Sequence, residues 1–184
     1  ARQVGLLDGL LDDDHFSNIM ISLTTMPRQS NADTLSQLTL LIADLEAKVS
    51  EKAPESNLAA HRNNIITALS EKSLAAIVAS LTSLKGQDKW LDKALQTMEN
   101  GSPTSLHLFY YAFGQNFTNV ADALLHEYIV GVNAARLGEF QEGVRALLID
   151  KDRNPAWRYD TIENTPKAWI DQFFVTENVA QAHF

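Results

Sequence analysis

The sequence predicts a mainly α-helical protein, a compact array of short amphipathic helices, and three observations support this. Apolar residues recur at intervals of three and four along most of the 184 residues. Capping residues, prolines and glycines divide these periodic segments where helices begin and end. No segment shows a sustained alternation of apolar and polar residues flanked by hairpin turns, the pattern typical of a strand. The length fits a single helical domain, residues 1–184.

Two helices are predicted before Pro54, after an opening segment that suits a brief strand or turn. Asp14 is a candidate N-cap for the first helix, which Pro27 must end. Asp33 precedes the apolar stripe of the second helix, which starts at Leu35 and ends before Pro54. The acidic run at residues 12–14 favours a helix N-terminus, because it lacks the alternating oxygen ligands and turn glycine of an EF-hand loop.

Three further helices are predicted between residues 58 and 100. The first carries the apolar positions of residues 58–69, and the next begins near Ser70 and ends at Gly86. The third ends at Asn100-Gly101, a pair suited to the left-handed position after a helix C-terminus.

The stretch "GSPTSLHLFYYAFG" predicts a helix with clear ends. Ser102 is the expected N-cap, Pro103 suits the first helical position, and Gly114 closes the helix. The side expected to be buried consists of Leu106, Phe109, Tyr110 and Phe113.

The remaining sequence predicts three helices. The first, ending at Gly138, is expected to be the longest of the chain, and residues 139–149 form the next. Thr165-Pro166 repeats the cap-plus-proline signal before a last apolar helix. The apolar positions of that helix are Trp169, Ile170, Phe173 and Phe174.

Composition excludes several classes of function. The formal net charge of −8 argues against electrostatic capture of nucleic acid or of an anionic membrane surface. No apolar run approaches the roughly 20 residues that span a bilayer. The absence of cysteine rules out a thiolate nucleophile and a disulfide framework.

The residues that commonly perform chemistry do not form a recognisable site. His126-Glu127 lacks a second histidine four residues away, so a structural role is expected for His126. His15, His61, His107 and His183 also lack metal-ligand spacing. No Gly-x-Ser-x-Gly elbow and no glycine-rich phosphate loop occurs. We therefore expect no catalytic residue, no metal and no cofactor of the chain's own.

One segment combines cations with an aromatic ring. Lys151, Arg153 and Arg158 lie close to Trp157 in an otherwise acidic chain, an arrangement that suits a nucleotide-like anion. The alternative is structural: cations complement the end of a helix, and Asp150 and Asp152 pair with them. The sequence leaves both interpretations open.

Three stretches resemble the C-terminal part of the 3-hydroxyisobutyryl-CoA hydrolase family, within the crotonase superfamily. They are "SPTSL" at 102–106, "HEYIVGVNAARLGEFQEGVRALLIDKDRNPAW" at 126–157, and the aromatic ending "IDQFF". The opening "ARQVGLLD" resembles the segment that follows the family's catalytic core. The resemblance implies a junction to the core at 1–26, variable helices at 33–100, and a family-like helical end at 102–184.

The resemblance implies an acyl-CoA thioester hydrolase of valine catabolism, of which this chain is the helical part that lacks the core sheet. The helices would pack on a catalytic core that precedes them and close its CoA site. No catalytic residue is inherited, whereas Lys151 and Arg153 become candidate CoA contacts. CoA belongs to the substrate and is not a separate cofactor.

The implied partners are the acyl-CoA substrate, the catalytic core and, in a homo-oligomer, a second copy of the chain, with no nucleic acid and no membrane. An exposed apolar surface that meets the core is expected. The implied location is the bacterial cytoplasm or the mitochondrial matrix. Two alternatives remain: a non-catalytic helical interaction module, and a segment of an enoyl-CoA hydratase/isomerase.

Overall fold

The computed structural model of the chain describes residues 11, 13–27, 30–50 and 55–177. These residues contain α-helices and no strand, so the predicted mainly α class is confirmed. The helices are α1 (Phe16–Thr25), α2 (Asn31–Ser50), α3 (Asn57–Leu69), α4 (Leu74–Thr82), α5 (Lys89–Glu99), α6 (Pro103–Phe113), α7 (Val120–Leu137), α8 (Glu139–Val144) and α9 (Lys167–Ile170). In the described part of the chain, none of them is long and apolar enough to cross a membrane.

The chain divides into two compact units, Ala1–Arg62 and Asn63–Phe184. The prediction of one domain over residues 1–184 stays a prediction, as do the three segments inside it. In the first unit, a 3₁₀ turn, Asp13–His15, precedes α1, and the His15 side chain makes no capping hydrogen bond. The side chain of Asp14, the predicted cap, lies outside the described residues.

Helix α2 begins two residues before Asp33. Asp33 lies in the first turn of the helix and precedes the apolar stripe, as predicted. The Ser30 hydroxyl accepts a hydrogen bond from the Asp33 backbone N–H (3.3 Å) and donates one to the Asp33 carboxylate (2.5 Å). The backbone hydrogen bond identifies Ser30 as the N-cap of α2, three residues before Asp33. With 20 residues, α2 exceeds the 18 of α7, so the prediction that α7 is the longest helix is wrong.

The boundaries of α4 also differ from prediction. Ser73, not Ser70, is the N-cap, and its hydroxyl accepts a hydrogen bond from the Ala76 backbone N–H (3.2 Å). Ser70 instead donates its hydroxyl to the Ile66 carbonyl at the end of α3 (2.8 Å). The helix stops at Thr82, and a turn continues to Gly86, whose φ of 90° requires the freedom of glycine.

The end of α5 is right-handed, so the left-handed Asn100-Gly101 prediction is wrong. Asn100 has φ −85°, and Gly101 is not among the residues with positive φ. The Gly101 backbone N–H donates to the Met98 carbonyl (3.1 Å), which tightens the last turn. The chain therefore passes directly from α5 to the extended Ser102 that caps α6.

The predicted ends of α6 are confirmed, whereas only two of the four residues predicted on its buried side, Leu106 and Tyr110, are partly buried. Ser102 accepts a hydrogen bond from the Ser105 backbone N–H (3.1 Å), and Pro103 is the first helical residue. Phe109 and Phe113, expected inside, are 70% and 74% exposed. Apolar spacing identifies a face, but burial depends on whether another element covers that face.

The core of the second unit is formed by α9 and the residues that directly follow it. Trp169, Ile170 and Phe173 are buried as predicted, and Phe174 is partly buried. Buried Thr104 accepts a hydrogen bond from the Trp169 indole N–H (3.0 Å), which joins α6 to α9. The buried Asn133 amide on α7 donates to the backbone carbonyls of Phe173 (3.0 Å) and Val175 (2.9 Å). These bonds satisfy polar groups inside the core.

Thr165 does not cap α9, contrary to prediction. Pro166 occupies the position before the helix, and the Thr165 hydroxyl donates to the Thr161 carbonyl (2.8 Å) instead. The predicted end of α7 at Gly138 is confirmed, because this glycine has φ 97°. Helix α8 follows immediately.

Candidate functional site

Helix α8 continues into a π turn, Arg145–Ile149, that changes the course of the chain. The Asp150 backbone N–H donates to the Arg145 carbonyl, five residues earlier (2.8 Å). Such turns occur frequently at functional sites. The following loop is fixed by the Arg153 backbone N–H, which donates to the Ala146 carbonyl (3.0 Å).

Arg145 is the centre of the loop. Its guanidinium makes two hydrogen bonds to the Glu142 carboxylate, at 2.9 and 2.7 Å. It also donates to Asp150 (2.6 Å), to Asp152 (2.7 Å) and to the Asn154 carbonyl (3.0 Å). One side chain therefore connects α8 to both aspartates and to the backbone beyond them.

The charges around Arg145 shift one another's protonation. Hydrogen bonds from Arg145 and from the Ala156 backbone N–H lower the pKa of Glu142 to about 2. Arg145 likewise lowers the pKa of Asp152, with help from the Asn154 backbone N–H. The carboxylates in turn raise the pKa of Arg145, Glu142 contributing most. All of these groups are charged at neutral pH.

Lys151 and Arg153 differ from their acidic neighbours. Both are exposed, and within the described residues neither side chain makes a hydrogen bond or ion pair. Asp150 and Asp152 pair with Arg145, so the structural interpretation in which they neutralise Lys151 and Arg153 is wrong. Lys151 and Arg153 also adopt left-handed backbone conformations, with φ 56° and 54°, which non-glycine residues rarely adopt.

Arg158, the third cation noted in the sequence, has another role. Its guanidinium lies 4.2 Å from the centre of the Trp169 ring, a cation–π contact over the core. The Arg158 backbone N–H donates to the buried Glu139 carboxylate (3.3 Å), which also accepts a hydrogen bond from Ser102. Sequence reasoning did not single out Arg145 or Glu139, although both lie in the "GEFQEGVRALLIDKD" stretch that carries the resemblance.

A cavity of about 470 Å³ is lined by residues that precede and follow this loop, Leu148 and Trp157 among them, and we call it the α8 cavity. Trp157 forms part of its wall and donates its indole N–H to the Asn100 carbonyl (3.3 Å). A Cβ at Gly143 would lie 3.3 Å from Cη2 of Trp157, so glycine permits this close packing. The other lining residues are mainly apolar and include Leu108, Ala134, Phe140, Leu147 and Phe173.

A second apolar cleft, the α4–α6 groove, has a volume of about 320 Å³. Its lining residues include Leu74, Ile77, Leu81, Leu106, Phe109 and Phe113. No charged side chain lines it.

In the described part of the chain, no three His, Cys, Asp or Glu side chains lie close enough together to hold a metal ion. The His126 ring packs between those of Phe117 (5.2 Å) and Phe174 (5.5 Å), and its Nε2 is buried without a hydrogen bond. The expected structural role therefore takes the form of aromatic packing. His107 bonds through Nε2 to the Ile162 carbonyl (2.9 Å), also structurally. His183 lies outside the described residues.

Large apolar side chains are exposed near the α8 cavity. Leu147, Leu148 and Ile149, all in the π turn, are each more than 60% exposed, as is Phe140 on α8. The expected exposed apolar surface is therefore present on the second unit.

The model of the enoyl-CoA hydratase/isomerase family matches residues 1–174. The chain is also similar to curated proteins. It is 31% identical over 120 residues to the mitochondrial 3-hydroxyisobutyryl-CoA hydrolase of Xenopus tropicalis, covering 65% of this chain and 31% of the relative. It is 27% identical over 161 residues to the probable 3-hydroxyisobutyryl-CoA hydrolase 2 of Arabidopsis thaliana, covering 84% of this chain and 43% of the relative.

A relative of a different kind is the small ribosomal subunit protein mS47 of Arabidopsis thaliana. The chain is 34% identical to it over 91 residues, which is 47% of this chain and 22% of the relative. The chain thus spans less than half the length of each of these three relatives.

Proposed function

The chain belongs to the enoyl-CoA hydratase/isomerase family, and we propose that it is the helical part of an acyl-CoA thioester hydrolase resembling 3-hydroxyisobutyryl-CoA hydrolase. The observation that carries this proposal is a pair of exposed cations, Lys151 and Arg153, without an ion-pair partner among the described residues, in the loop between two residues that line a mainly apolar cavity, Leu148 and Trp157. In the proposed reaction, water adds to the thioester carbonyl and the carbon–sulfur bond breaks. The free acid and CoA leave.

The helices would pack on a catalytic core elsewhere in the full-length protein. Thioester hydrolysis requires donors aimed at the developing oxyanion and a group that activates water. We assign neither role to this chain. Its contribution is a surface: the exposed Leu147, Leu148 and Ile149 would be buried against the core, which favours association through the hydrophobic effect.

Lys151 and Arg153 would contact the phosphates of the CoA moiety. The side chains are exposed, carry no competing carboxylate partner among the described residues, and lie two positions apart. An anion that reaches both gains two charge-assisted hydrogen bonds. The α8 cavity, whose walls include Leu148 before the loop and Trp157 after it, would offer apolar and aromatic surface for the rest of the ligand.

The test is hydrolysis of 3-hydroxyisobutyryl-CoA by the full-length protein, followed by release of the CoA thiol. We expect the full-length protein to be active and residues 1–184 alone to be inactive. In full-length Lys151→Ala/Arg153→Ala, KM should rise about tenfold with kcat unchanged. The matched control is Lys89→Ala/Lys93→Ala, which removes two exposed lysines of α5 and should leave KM unchanged. An unchanged KM in the loop variant would remove the proposed CoA contacts.

A second candidate is a non-catalytic structural module, which the similarity to small ribosomal subunit protein mS47 favours. In that case the full-length protein would release no thiol and would instead co-purify in a stable protein assembly. Absence of hydrolysis together with co-sedimentation on sucrose gradients would support this candidate.

The family description also leaves enoyl-CoA hydratase or isomerase activity as a proposal. Hydration of crotonyl-CoA, followed by loss of the enoyl absorbance, distinguishes it from hydrolysis. Several similar hydrolases are named mitochondrial, so we propose the mitochondrial matrix as the location, with the bacterial cytoplasm as the alternative. Cell fractionation separates the two.

A further inference from the structure

We propose that Arg145 is a positioning residue, which holds the 150–154 loop so that Lys151 and Arg153 are presented together to a phosphate-bearing ligand. This inference rests on the proposed function, because it takes the CoA ester as that ligand. It assigns to Arg145 no contact with the ligand itself.

The first step of the argument is the separation of charge along the loop. From residue 150 to residue 153, acidic and basic side chains alternate. Arg145 binds both acids through the same nitrogen, Nη1, at 2.6 and 2.7 Å. The two bases between and after them are exposed and make no ion pair in the described part of the chain. The half-buried Arg145 therefore pairs with both acids and leaves the two basic side chains available to a ligand.

The second step concerns the backbone. Lys151 and Arg153 both have positive φ, a conformation that L-residues avoid and that persists only where the surroundings enforce it. Arg145 supplies such constraints from three directions: the α8 carboxylate of Glu142, the two aspartates, and the Asn154 carbonyl. Glu142 adds a further one, since it accepts a hydrogen bond from the Ala156 backbone N–H (2.6 Å).

The third step is what the loop would do without Arg145. Asp150 and Asp152 would lose their partner while remaining next to Lys151 and Arg153 in the chain. They would then be available to neutralise the two bases, and the strained backbone would relax. Both changes weaken an anion site, although Arg145 never touches the anion.

The experiment uses the full-length protein and adenosine 3′,5′-bisphosphate in isothermal titration calorimetry. This probe has the adenosine, the 3′-phosphate and one of the two 5′-phosphates of CoA but no acyl group. We expect Arg145→Gln and Arg145→Lys both to weaken binding about tenfold, because lysine keeps the charge but lacks the fork that binds several acceptors. KM for the CoA ester should rise similarly with kcat unchanged. Arg136→Gln, which removes an exposed cation from the end of α7, is the matched control and should bind normally.

Two further variants separate positioning from simple electrostatics and from misfolding. Asp152→Asn removes a negative charge near the anion, so electrostatics alone predicts tighter binding. Positioning predicts weaker binding, because Arg145 loses a partner. In the Lys151→Ala/Arg153→Ala background, Arg145→Gln should weaken binding no further, since the residues it positions are absent.

The outcomes distinguish the two proposals. If Lys151→Ala/Arg153→Ala binds the probe like the wild type, the proposed CoA contacts fail. If that variant is weakened but Arg145→Gln is not, only the positioning role fails. Wild-type binding by Arg145→Lys, or tighter binding by Asp152→Asn, would likewise overturn positioning and leave the contacts in place.

Discussion

The α8 cavity and the α4–α6 groove are both apolar clefts of the same unit, yet their surroundings differ. The groove has no charged side chain in its lining and exposes Phe109 and Phe113. The cavity is lined by residues on both sides of a loop in which Asp150 and Asp152 pair with Arg145, and two bases have no ion-pair partner among the described residues. An apolar cleft alone suits packing against protein, whereas an apolar cleft with fixed charges at one side suits a charged ligand.

The largest expected effect tests how firmly the cavity is built. Phe173 is fully buried and lines the cavity, so Phe173→Ala should destabilise the fold by about 3–5 kcal/mol through lost burial and the space left behind. Phe113→Ala, in the groove, removes a side chain that is 74% exposed and should change stability by less than about 0.5 kcal/mol. Urea denaturation measures both. Equal losses would mean that the groove is built as firmly as the cavity.

A smaller effect tests whether the loop carries strain for the sake of a ligand. Glycine tolerates the φ of 56° at position 151, so Lys151→Gly should be more stable than Lys151→Ala by about 1 kcal/mol. Both variants should show the same rise in KM for the CoA ester, because both lose the ammonium group. Thermal unfolding and steady-state kinetics provide the comparison. A glycine variant no more stable than the alanine variant would contradict the strain.

The smallest effect is a pH dependence. The pKa of Glu142 is lowered from 4.5 in the unfolded chain to about 2 in the folded one, so Glu142 stabilises the fold above pH 4.5. That contribution is lost as the pH falls from about 4.5 to about 2. Trp157 fluorescence during acid titration should report a loop transition in this window. In Glu142→Gln, the free energy of unfolding should depend less steeply on pH in this window. A titration curve identical to that of the wild type would argue against the Arg145–Glu142 pair.

Local chemistry explains which parts of the fold could be predicted. Ser102 and Pro103 predicted the start of α6 correctly, because helix capping depends on residues only a few positions apart. Burial of Phe109 could not be judged, since it depends on a covering surface that periodicity does not describe. Neighbouring acids and bases at 150–153 suggested local pairing. Their real partner, Arg145, is reached only because a π turn and left-handed residues redirect the backbone.

The candidate site, like the fold, was predicted only in part. Lys151 and Arg153 were recognisable as cations beside an aromatic residue, and their role as CoA contacts stays a prediction. The roles of Glu139 and Arg145 could not be recognised from the sequence. Glu139 pairs with the distant Ser102, and Arg145 reaches Asp152 only through an unusual backbone path. An arginine inside an amphipathic helical pattern gives no signal of its own that it will bind four groups.

The π turn also restricts how this stretch can vary between related proteins. Removing one residue from 145–149 would restore the hydrogen-bond pattern of an ordinary α-helix and change where the following residues lie relative to Arg145. The aspartates would then no longer meet the guanidinium. The number of residues between Glu142 and Asp150 should therefore remain constant among relatives that keep this loop, even where the exposed side chains in between are exchanged.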